Sequence, residues 1–434
     1  MLDAIGAADI EELFDAVPAG LRLDRPLDVP QALSEIELID HLATLSAKSQ
    51  GARDLVCFAG GGAYDHYVPA AARSLAGRAE FATSYTPYQP ELSQGVLQAV
   101  FEFQTMVCEL FGLDVANASL YDGASSLVEA VNLAVRVTKR ERVLVGGGVN
   151  PQFVQVLRTS TAGLGLEIEV APVSDNGITD WNAADGEGAA ALVVASPNFF
   201  GRVEEITDVT RIAADAGALS VVVADPTSLG ILEAPGHLGA DIAIAEGAAV
   251  GNAMSYGGPY VGLFATKIDH VRQVPGRIAS ETLDARGRRA YVLTLQAREQ
   301  HIRRARATSN VCTNQTLMAI AFAIHMSWLG PQGLARLGEI CLRRTAFAAG
   351  RLSEIPGCRI RFAGPSFKEV VLETPIPAAT LVAALARRGF LAGPDLGRWY
   401  PELENCLLVA VTERRTEDDV LALAEAIEKE LTEQ

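Results

Sequence analysis

Two short stretches of the sequence place acidic residues where a folded protein can use them for chemistry. The run from Asp122 to Ser126 opens a predicted helix, where free backbone N–H groups and the helix dipole attract anions such as phosphate. Asp225 follows the apolar run Leu219 to Ala224, and ligands of open α/β sheets gather at the carboxyl ends of such strands. Simpler interpretations are a helix cap for the first stretch and a turn for the second.

A carboxylate in the position of Asp225 can pair with a protonated ring nitrogen, as in pyridoxal enzymes. Such enzymes also need a lysine that binds the cofactor covalently, shortly before a glycine-rich turn. The corresponding stretch here, ADIAIAEGAAVGNAMSYGGPYVG, contains no lysine. The first lysine after Asp225 is Lys267, which lies beyond the turn Gly257–Pro259 and a further predicted strand. The sequence therefore outlines a cofactor pocket whose covalent anchor is missing.

Two further segments have unusual compositions. The loop from Ser84 to Glu91, SYTPYQPE, contains two Tyr and two Pro before a helix, and it is either a stiff binding loop or a helix-entry turn with surface tyrosines. The segment from Arg286 to Arg306 contains seven arginines. It can form a solvated helix face paired with glutamates of the same chain. It can equally receive an anionic surface or a phosphate, since arginine presents a bidentate fork.

The composition excludes several classes of protein. The 434 residues carry a formal net charge of −17, which argues against nucleic acid because phosphate backbones are held mainly by Lys and Arg. The six cysteines form no CxxC pair and have no histidine at metal spacing, so we expect buried thiols and no metal. The first residues, MLDAIGAADIEELFDAVPAG, contain neither a basic leader nor a long apolar run, so we predict no signal peptide. No uncharged apolar stretch approaches the roughly 18 residues that we expect for a membrane span. We therefore expect a soluble, cytoplasmic protein.

The elements that must position these residues follow an α/β order. Two amphipathic helices, ELSQGVLQAVFEFQTMVCELFG and SSLVEAVNLAVRVTKR, precede apolar runs that alternate with helical stretches. These runs suit strands that are buried on both faces of a mainly parallel sheet. The last of them lacks a preceding long helix and is the candidate for an antiparallel strand. The predicted strands are Arg142–Val145, Glu167–Ala171, Ala191–Ala195, Leu219–Ala224, Asp241–Ala245 and Tyr260–Ala265.

The chain is too long for one compact core. We predict an N-terminal extension over residues 1–90 and a large domain over residues 91–313. A connector helix over residues 314–330 leads to a small C-terminal α/β domain over residues 331–434. The predicted strands of the small domain are Arg359–Phe362, Glu369–Glu373 and Cys406–Val411.

Several long motifs resemble the P-protein family of the glycine cleavage system. The resemblance extends from residue 55 to the end of the chain and is weaker over the residues before it. The motifs are SYTPYQPELSQGVLQAVFEFQTMVCELFGLDVANASLYDGASSLVEAV, ADPTSLGILEAPGHLGADIAIAEG, GGPYVGLFAT, PGRIASETLDARGRRAYVLTLQAREQHIRRARATSNVCTNQ and HMSWLGPQGL.

The resemblance implies a fold and a reaction. The fold is that of the fold-type I pyridoxal-phosphate-dependent transferases, which are aspartate aminotransferase-like. Some members of the family are single chains with two homologous halves, others are split into two subunits, and this chain matches the N-terminal half. The cofactor lysine then belongs to the other half, and its place in this chain falls near Gly247–Ala249. The implied complex decarboxylates glycine, releases CO2 and passes the aminomethyl group to the lipoyl arm of the H-protein, beside the T- and L-proteins.

The resemblance also implies an active site at the subunit interface. This chain is then inactive alone, and it contributes residues to a site whose pyridoxal phosphate is held covalently by a lysine-bearing partner, subunit 2. In that interpretation four residues are remnants of a pocket that is no longer used: Asp122, Gly123, Ser125 and Asp225. The arginine segment lines the interface or the lipoyl entrance. The residues expected to reach the partner's site are Tyr85, Thr86, Tyr88, Gln89, Glu91, Arg288, Arg289 and Arg298.

Two other functions stay open on the sequence alone. One is an independently active fold-type I pyridoxal decarboxylase or aminotransferase that uses Lys267, which must then reach the pocket from beyond the Gly257–Pro259 turn. The other is a purely structural partner subunit that adds no atoms to an active site. Retention of the Tyr/Pro loop and the arginine segment favours a contribution to the site, although both can serve packing.

Overall fold

The computed structural model describes residues 1–51, 54–83 and 86–433. The chain divides into two compact units, of which the first is Met1–Gly51. This unit contains the helices α1 (Leu2–Ile5) and α2 (Glu35–Ser46), and none of its residues is buried. A capping box formed by Ser34 and Glu37 starts α2.

The second unit contains the strands and the remaining helices. Its strands are β1 (Val56–Cys57), β2 (Val115–Ala116), β3 (Arg142–Val145), β4 (Glu167–Val170), β5 (Ala189–Ser196), β6 (Leu219–Ala224), β7 (Ile242–Glu246), β8 (Gly262–Thr266), β9 (Ile278–Leu283), β10 (Arg289–Thr294), β11 (Arg359–Ile360), β12 (Glu369–Glu373), β13 (Phe390–Leu391) and β14 (Cys406–Ala410). Its helices are α3 (Ala70–Ala76), α4 (Ala79–Ala82), α5 (Gln94–Phe111), α6 (Gly123–Thr138), α7 (Pro151–Thr161), α8 (Ile206–Ala216), α9 (Gln300–Arg303), α10 (Thr316–Ser353), α11 (Ala378–Arg387) and α12 (Glu417–Thr432).

A seven-stranded sheet in the order β2-β8-β7-β6-β5-β3-β4 forms the centre of the large domain. Neighbouring strands from β4 to β7 run parallel, whereas β8 is antiparallel to both β7 and β2. The mainly parallel α/β sheet with an antiparallel last strand is thus confirmed. The bounds of β3 and β6 agree with the prediction, and the other four predicted strands are shifted by at most two residues.

Alternation along the strands builds one core on each face of this sheet. Val193 of β5 and Val221 of β6 join one apolar cluster, and their neighbours Leu192 and Val222 join the cluster on the opposite face. Successive side chains of a strand point to opposite faces, so a strand that is apolar at every position is buried on both sides. Every residue of β5 is buried accordingly.

The small C-terminal domain contains a sheet of β11, β12 and β14 and the short parallel pair β1–β13. Strand β1 comes from the segment that we assigned to the N-terminal extension, and Phe58, which follows it, packs in the core of the small domain. The domain boundaries themselves stay a prediction.

The long helix α10 joins the two domains and is broken at Gly330, whose φ of 60° and ψ of −179° are not helical. Among the described residues it is the one helix that is long and apolar enough to cross a membrane. Its first part contributes Phe322 to a core of the large domain and its second part contributes Leu352 to that of the small domain. The helix therefore serves as a core element of a folded protein.

The arginine segment does not form a helix face, which corrects one of the interpretations made from the sequence. Its first part, β10, pairs with β9 in an antiparallel hairpin, and its second part forms short helical turns such as α9. The stretch Tyr291–Leu293 explains the strand, because Tyr291 and Leu293 are buried while the residue between them is more exposed, as a period of two requires.

Candidate functional site

Asp225 lies directly after β6, at the carboxyl edge of the sheet, and a lysine from the small domain neutralises it. The ammonium of Lys368 forms an ion pair with Oδ2 of Asp225. The backbone N–H and the hydroxyl of Thr227 donate to Oδ1 at 2.9 and 2.7 Å. Burial alone would raise the pKa of Asp225, but the ammonium and the hydrogen bonds hold it below its ordinary value. Both oxygens of this carboxylate are therefore engaged within the chain.

Lys368 precedes β12 and is only 1% exposed. Its Nζ lies 3.6 Å from the centre of the Tyr64 ring, 3.4 Å from Nε2 of His66 and 3.5 Å from Oγ1 of Thr227. The backbone φ of Lys368 is 64°, a left-handed conformation that costs a residue with a Cβ roughly 1–2 kcal/mol. Such strain persists only where the surrounding structure imposes it.

His66, Cys341 and Glu413 form a second polar group beside Lys368, and their ligand-type atoms lie within 4.8 Å of one another. Glu413 pairs with Nδ1 of His66 at 2.7 Å. Burial opposes ionisation of Glu413, yet the hydrogen bond to His66 lowers its pKa to about 2. Burial raises the pKa of the Cys341 thiol to about 12, so the thiol stays protonated. Because metals bind the thiolate and an ammonium lies beside the imidazole, we interpret the group as a hydrogen-bond network.

The start of α6 contains both a helix cap and a filled anion site. The side chain of Asp122 accepts the N–H of Ser125 at 2.7 Å, and Oγ of Ser125 accepts the N–H of Asp122 at 3.0 Å, which forms a capping box. The N–H of Gly123 donates to Oε2 of Glu246 at 2.9 Å. The anion at this helix start is thus a carboxylate of the same chain.

Glu246 is the last residue of β7 and was not among the predicted site residues. Its Oε1 accepts the backbone N–H groups of Ala248 at 2.9 Å and Val261 at 3.1 Å. Burial raises the pKa of Glu246 to about 7, against the opposing effect of its backbone hydrogen bonds. A Cβ on Gly123 would lie 3.0 Å from the Cβ of Glu246, so the close approach of the two residues needs a glycine there.

Glu369, the neighbour of Lys368, is also held by the wall of the cavity. Its Oε1 accepts the N–H of Gly61 at 2.7 Å, and its Oε2 accepts the hydroxyl of Tyr64 at 2.9 Å. Burial raises the pKa of Glu369 to about 7. The cavity between the sheet edge and the small domain is therefore lined by charged groups that already have partners in this chain.

The expected place of the cofactor lysine, Gly247–Ala249, is the turn that follows β7. Ala248 and Ala249 line the same cavity as Asp225 and Lys368, but neither carries an amine. The position at which the resemblance predicts the cofactor lysine therefore lies in the same cavity as Asp225, but it is occupied by residues without an amine.

Lys267 lies at the opposite edge of the sheet. It follows β8, which is antiparallel to β7, so that Thr266 pairs with Ile242 at the amino end of β7. Its ammonium forms an ion pair with Oδ1 of Asp241 at 2.6 Å. A strand of five residues spans about 16 Å, which separates Lys267 from Asp225.

The Tyr/Pro loop contacts a buried arginine. The hydroxyl of Tyr88 accepts Nη2 of Arg277 at 2.9 Å, and the guanidinium lies 4.9 Å from the centre of the Tyr88 ring. Tyr88 is nevertheless 63% exposed, and Gln89 and Glu91 are exposed as well. Tyr85 lies outside the residues that the structure describes.

The three arginines predicted at an interface lie in two different environments. Arg288 and Arg289 are exposed on the β9–β10 hairpin, 2.8 Å from Asp284 and 3.9 Å from Glu281 respectively. These pairs agree with the interpretation of a solvated surface with acidic partners in the same chain. Arg298 is instead buried, with 8% of its surface exposed.

Arg298 presents an unused binding edge. Its Nη1 donates to the carbonyl of Val274, whereas Nε and Nη2 have no partner among the described residues. Burial lowers the pKa of Arg298, and the nearby charge of Glu299 opposes this effect. A guanidinium binds a carboxylate or phosphate through two parallel N–H groups, and Nε and Nη2 supply such a pair.

Arg298 belongs to a set of polar residues that we name the Arg277 cluster: Thr86, Arg277, Arg298, Glu299 and Thr313. Each of them has at least one buried side-chain atom without a hydrogen-bond partner among the described residues. Arg277 is 4% exposed and lies 4.0 Å from Glu299. An unpaired buried polar group costs about 1–3 kcal/mol, so these atoms are the candidates for pairing with water or with another molecule.

Sequence reasoning missed three central residues, Glu246, Lys368 and Arg277. Glu246 had a usable signal, because it directly follows the predicted buried strand Asp241–Ala245, just as Asp225 follows Leu219–Ala224. Lys368 is one of only five lysines and directly precedes a predicted strand. Arg277 gave no signal, since its burial depends on segments that are distant in sequence.

The chain is similar to known proteins over almost its whole length. The family model described as "Glycine cleavage system P-protein" matches residues 1–427. A protein of Moorella thermoacetica named "Probable glycine dehydrogenase (decarboxylating) subunit 1" is 48% identical over 430 residues, which cover 98% of this chain and 96% of that one. A protein of Chlorobium limicola with the same name is 45% identical, with the same coverage.

Solved structures of related proteins are also similar to this chain. A crystal structure of glycine decarboxylase (P-protein) of the glycine cleavage system, in inhibitor-bound form, superposes with a TM-score of 0.93 at 44% identity, covering 99% of this chain and 97% of that chain. A cysteine desulfurase of Thermococcus onnurineus is similar at a TM-score of 0.63 and 17% identity, covering 88% of this chain and 96% of that chain. These likenesses confirm the fold-type I architecture of pyridoxal-phosphate enzymes.

Proposed function

This chain belongs to the P-protein family of the glycine cleavage system, and on that premise we propose that it is subunit 1 of a two-subunit glycine dehydrogenase (decarboxylating). A second subunit supplies the lysine and holds the pyridoxal phosphate. The complex decarboxylates glycine, and the aminomethyl group passes to the lipoyl arm of the H-protein. When bound in the second subunit, pyridoxal phosphate supplies the electron sink for this decarboxylation.

The state of the pocket at Asp225 is the observation that carries the proposal. No lysine stands at Gly247–Ala249, the carboxylate of Asp225 is paired with Lys368, and the helix start at Gly123 is occupied by Glu246. A chain with this pocket lacks the covalent anchor, and its carboxylate at Asp225 and its N–H group at Gly123 already have partners within the chain. The catalytic centre of the complex therefore belongs to its partner.

The contribution of this chain to that centre is the Arg277 cluster together with Tyr88 and Gln89. The free edge of Arg298 suits a carboxylate, either of the partner subunit or of glycine itself. Tyr88 is stacked on Arg277 and is exposed on its other side, so it can contact the partner while it orders the arginine. The Tyr/Pro loop thus connects the buried cluster to the surface.

Exposed arginines extend this surface. Arg286, Arg304 and Arg306 are exposed, as are Arg288 and Arg289 of the β9–β10 hairpin. In a chain of net charge −17, such a concentration of positive charge suits the subunit interface or the entrance for the lipoyl arm.

The proposal is tested by expressing this chain alone and together with a lysine-bearing P-protein subunit. Pyridoxal absorbance and glycine–CO2 exchange with lipoylated H-protein are measured for both preparations. We expect the single chain to be colourless and inert, and the pair to be yellow and active. Covalent cofactor and turnover of an amino acid by the single chain would overturn the proposal.

A further inference from the structure

We propose that Glu246 and Lys368 occupy, with their own charged groups, the two anchoring positions of a pyridoxal phosphate molecule in this chain and thereby exclude the cofactor. The inference goes beyond the proposed function, because it concerns this chain alone and holds whatever the complex acts on. It explains how the pocket is closed, which the missing lysine by itself does not do, since pyridoxal compounds also bind through their phosphate and their ring nitrogen.

Glu246 occupies the phosphate position. A phosphate at the start of α6 would use the N–H of Gly123 and its neighbours, and the carboxylate of Glu246 already accepts three backbone N–H groups there, from Gly123, Ala248 and Val261. Asp122, the cap of the same helix, adds a second carboxylate at this end. An incoming phosphate therefore finds the N–H groups of Gly123 and Ser125 already bonded to the carboxyl groups of Glu246 and Asp122.

Lys368 occupies the position of the ring nitrogen. A protonated ring nitrogen would donate to Asp225, and the ammonium of Lys368 forms that ion pair instead. The ammonium also lies 3.6 Å from the centre of the Tyr64 ring, a distance at which a cation is attracted to an aromatic face. Because Lys368 comes from the small domain and Asp225 from the large domain, this buried ion pair also connects the two domains.

The signs of the two substitutes match those of the cofactor. A carboxylate replaces an anionic phosphate and an ammonium replaces a cationic ring nitrogen, so the electrostatics of the pocket are satisfied with no ligand. The backbone at both positions accommodates the substituting side chain. Gly123 leaves space for Glu246 that a Cβ would fill, and the left-handed backbone of Lys368 directs a buried lysine to Asp225.

Pyridoxamine phosphate is the probe for this inference, because it has the ring nitrogen and the phosphate but no aldehyde that reacts with surface lysines. Its affinity for the full-length chain is measured by equilibrium dialysis for the wild type, Glu246→Gln, Lys368→Met and the double variant. We expect negligible binding by the wild type and binding at least about tenfold tighter by the double variant.

Pyridoxamine, which lacks the phosphate, separates the two ends of the pocket. Glu246→Gln should raise the affinity for pyridoxamine phosphate and leave that for pyridoxamine unchanged, whereas Lys368→Met should raise both. Adding Asp225→Asn to Lys368→Met should remove the gain, because the ring nitrogen then loses its carboxylate partner.

Circular dichroism and thermal unfolding show which variants are folded. If Lys368→Met does not fold, Glu246→Gln decides the matter, with inorganic phosphate as a second probe of the helix start. The inference is overturned if the wild type binds pyridoxamine phosphate as tightly as the folded variants, or if the folded variants gain no affinity. Glycine–CO2 exchange by the wild-type pair tests the proposed function separately, so the two can fail independently.

Discussion

The Asp225 pocket and the Arg277 cluster are both buried and rich in charged groups, yet they differ in how those groups are satisfied. In the pocket, Asp225, Glu246 and Glu369 all have hydrogen-bond or ion-pair partners within the chain. In the cluster, the guanidinium groups of Arg277 and Arg298 keep N–H groups without partners. The two regions therefore differ in whether their charged groups are fully paired within the described part of the chain.

The number of buried polar groups without a partner therefore distinguishes the two regions, which their general resemblance to a binding pocket does not. The region that resembles a cofactor site by its position has charged groups that are paired within the chain, whereas the Arg277 cluster has unpaired polar atoms among the described residues. An unpaired buried polar atom costs about 1–3 kcal/mol of stability. We therefore expect the unpaired atoms of the Arg277 cluster to form hydrogen bonds with a partner or a substrate in the complex. The first of the following predictions tests the closed region and the next two test the open one.

The largest effect should come from removing the ammonium of the pocket. Lys368→Met leaves the carboxylate of Asp225 buried without its counter-ion, which costs about 3–5 kcal/mol in other buried pairs. Lys139 is a matched control, because it also has a left-handed backbone but is exposed, so Lys139→Met should change stability by less than about 0.5 kcal/mol. Denaturant unfolding measures both, and equal small losses would show that the pocket is not held by this pair.

Loss of the buried guanidinium in the cluster should affect activity most strongly. Arg277→Met removes the group that holds Tyr88 and the carbonyl of Cys312, and misplacement of a substrate-positioning surface can cost about 100-fold in rate. Glycine–CO2 exchange by the reconstituted complex is the measurement. Arg158→Met, at an exposed arginine on α7, is the control and should leave exchange unchanged. Normal exchange by a folded Arg277→Met complex would restrict the cluster to a structural role.

The exposed part of the loop should have a smaller effect. Tyr88→Phe removes the hydroxyl that accepts from Arg277, and Gln89→Ala shortens an exposed neighbour. Each should lower turnover of the complex by about tenfold, the equivalent of one charge-assisted hydrogen bond, without preventing assembly as judged by gel filtration. Full activity in both variants would favour a chain that only stabilises its partner.

The sequence predicted the architecture well because the signals for strands and helices are local. The apolar runs from Arg142 to Ala265 mark the sheet, and the missing lysine can be counted directly. The state of the pocket was not predictable in the same way, since Lys368 and Asp225 are in different domains and no local pattern brings them together. Arg298 shows the same limit, because its position in an arginine-rich segment suggested exposure and its burial follows from tertiary packing.

The last prediction concerns the pH dependence of stability and sharpens the description of the closed pocket. Burial raises the pKa of Glu369 from 4.5 to about 7, so between these values the folded chain retains a proton that the unfolded chain releases. Stability contributed by this group is therefore present below about pH 4.5 and is lost as the pH rises towards 7, with a slope of at most about 1.4 kcal/mol per pH unit. The measurement is the free energy of unfolding by denaturant for the wild type and Glu369→Gln from pH 4.5 to 7.5. The difference between the two slopes against pH isolates Glu369, because the other titrating groups contribute equally to both proteins. Parallel pH profiles would contradict the prediction. They would mean that Glu369 is already ionised when it accepts hydrogen bonds from Gly61 and Tyr64, and that the pocket contains the negative charge of this carboxylate.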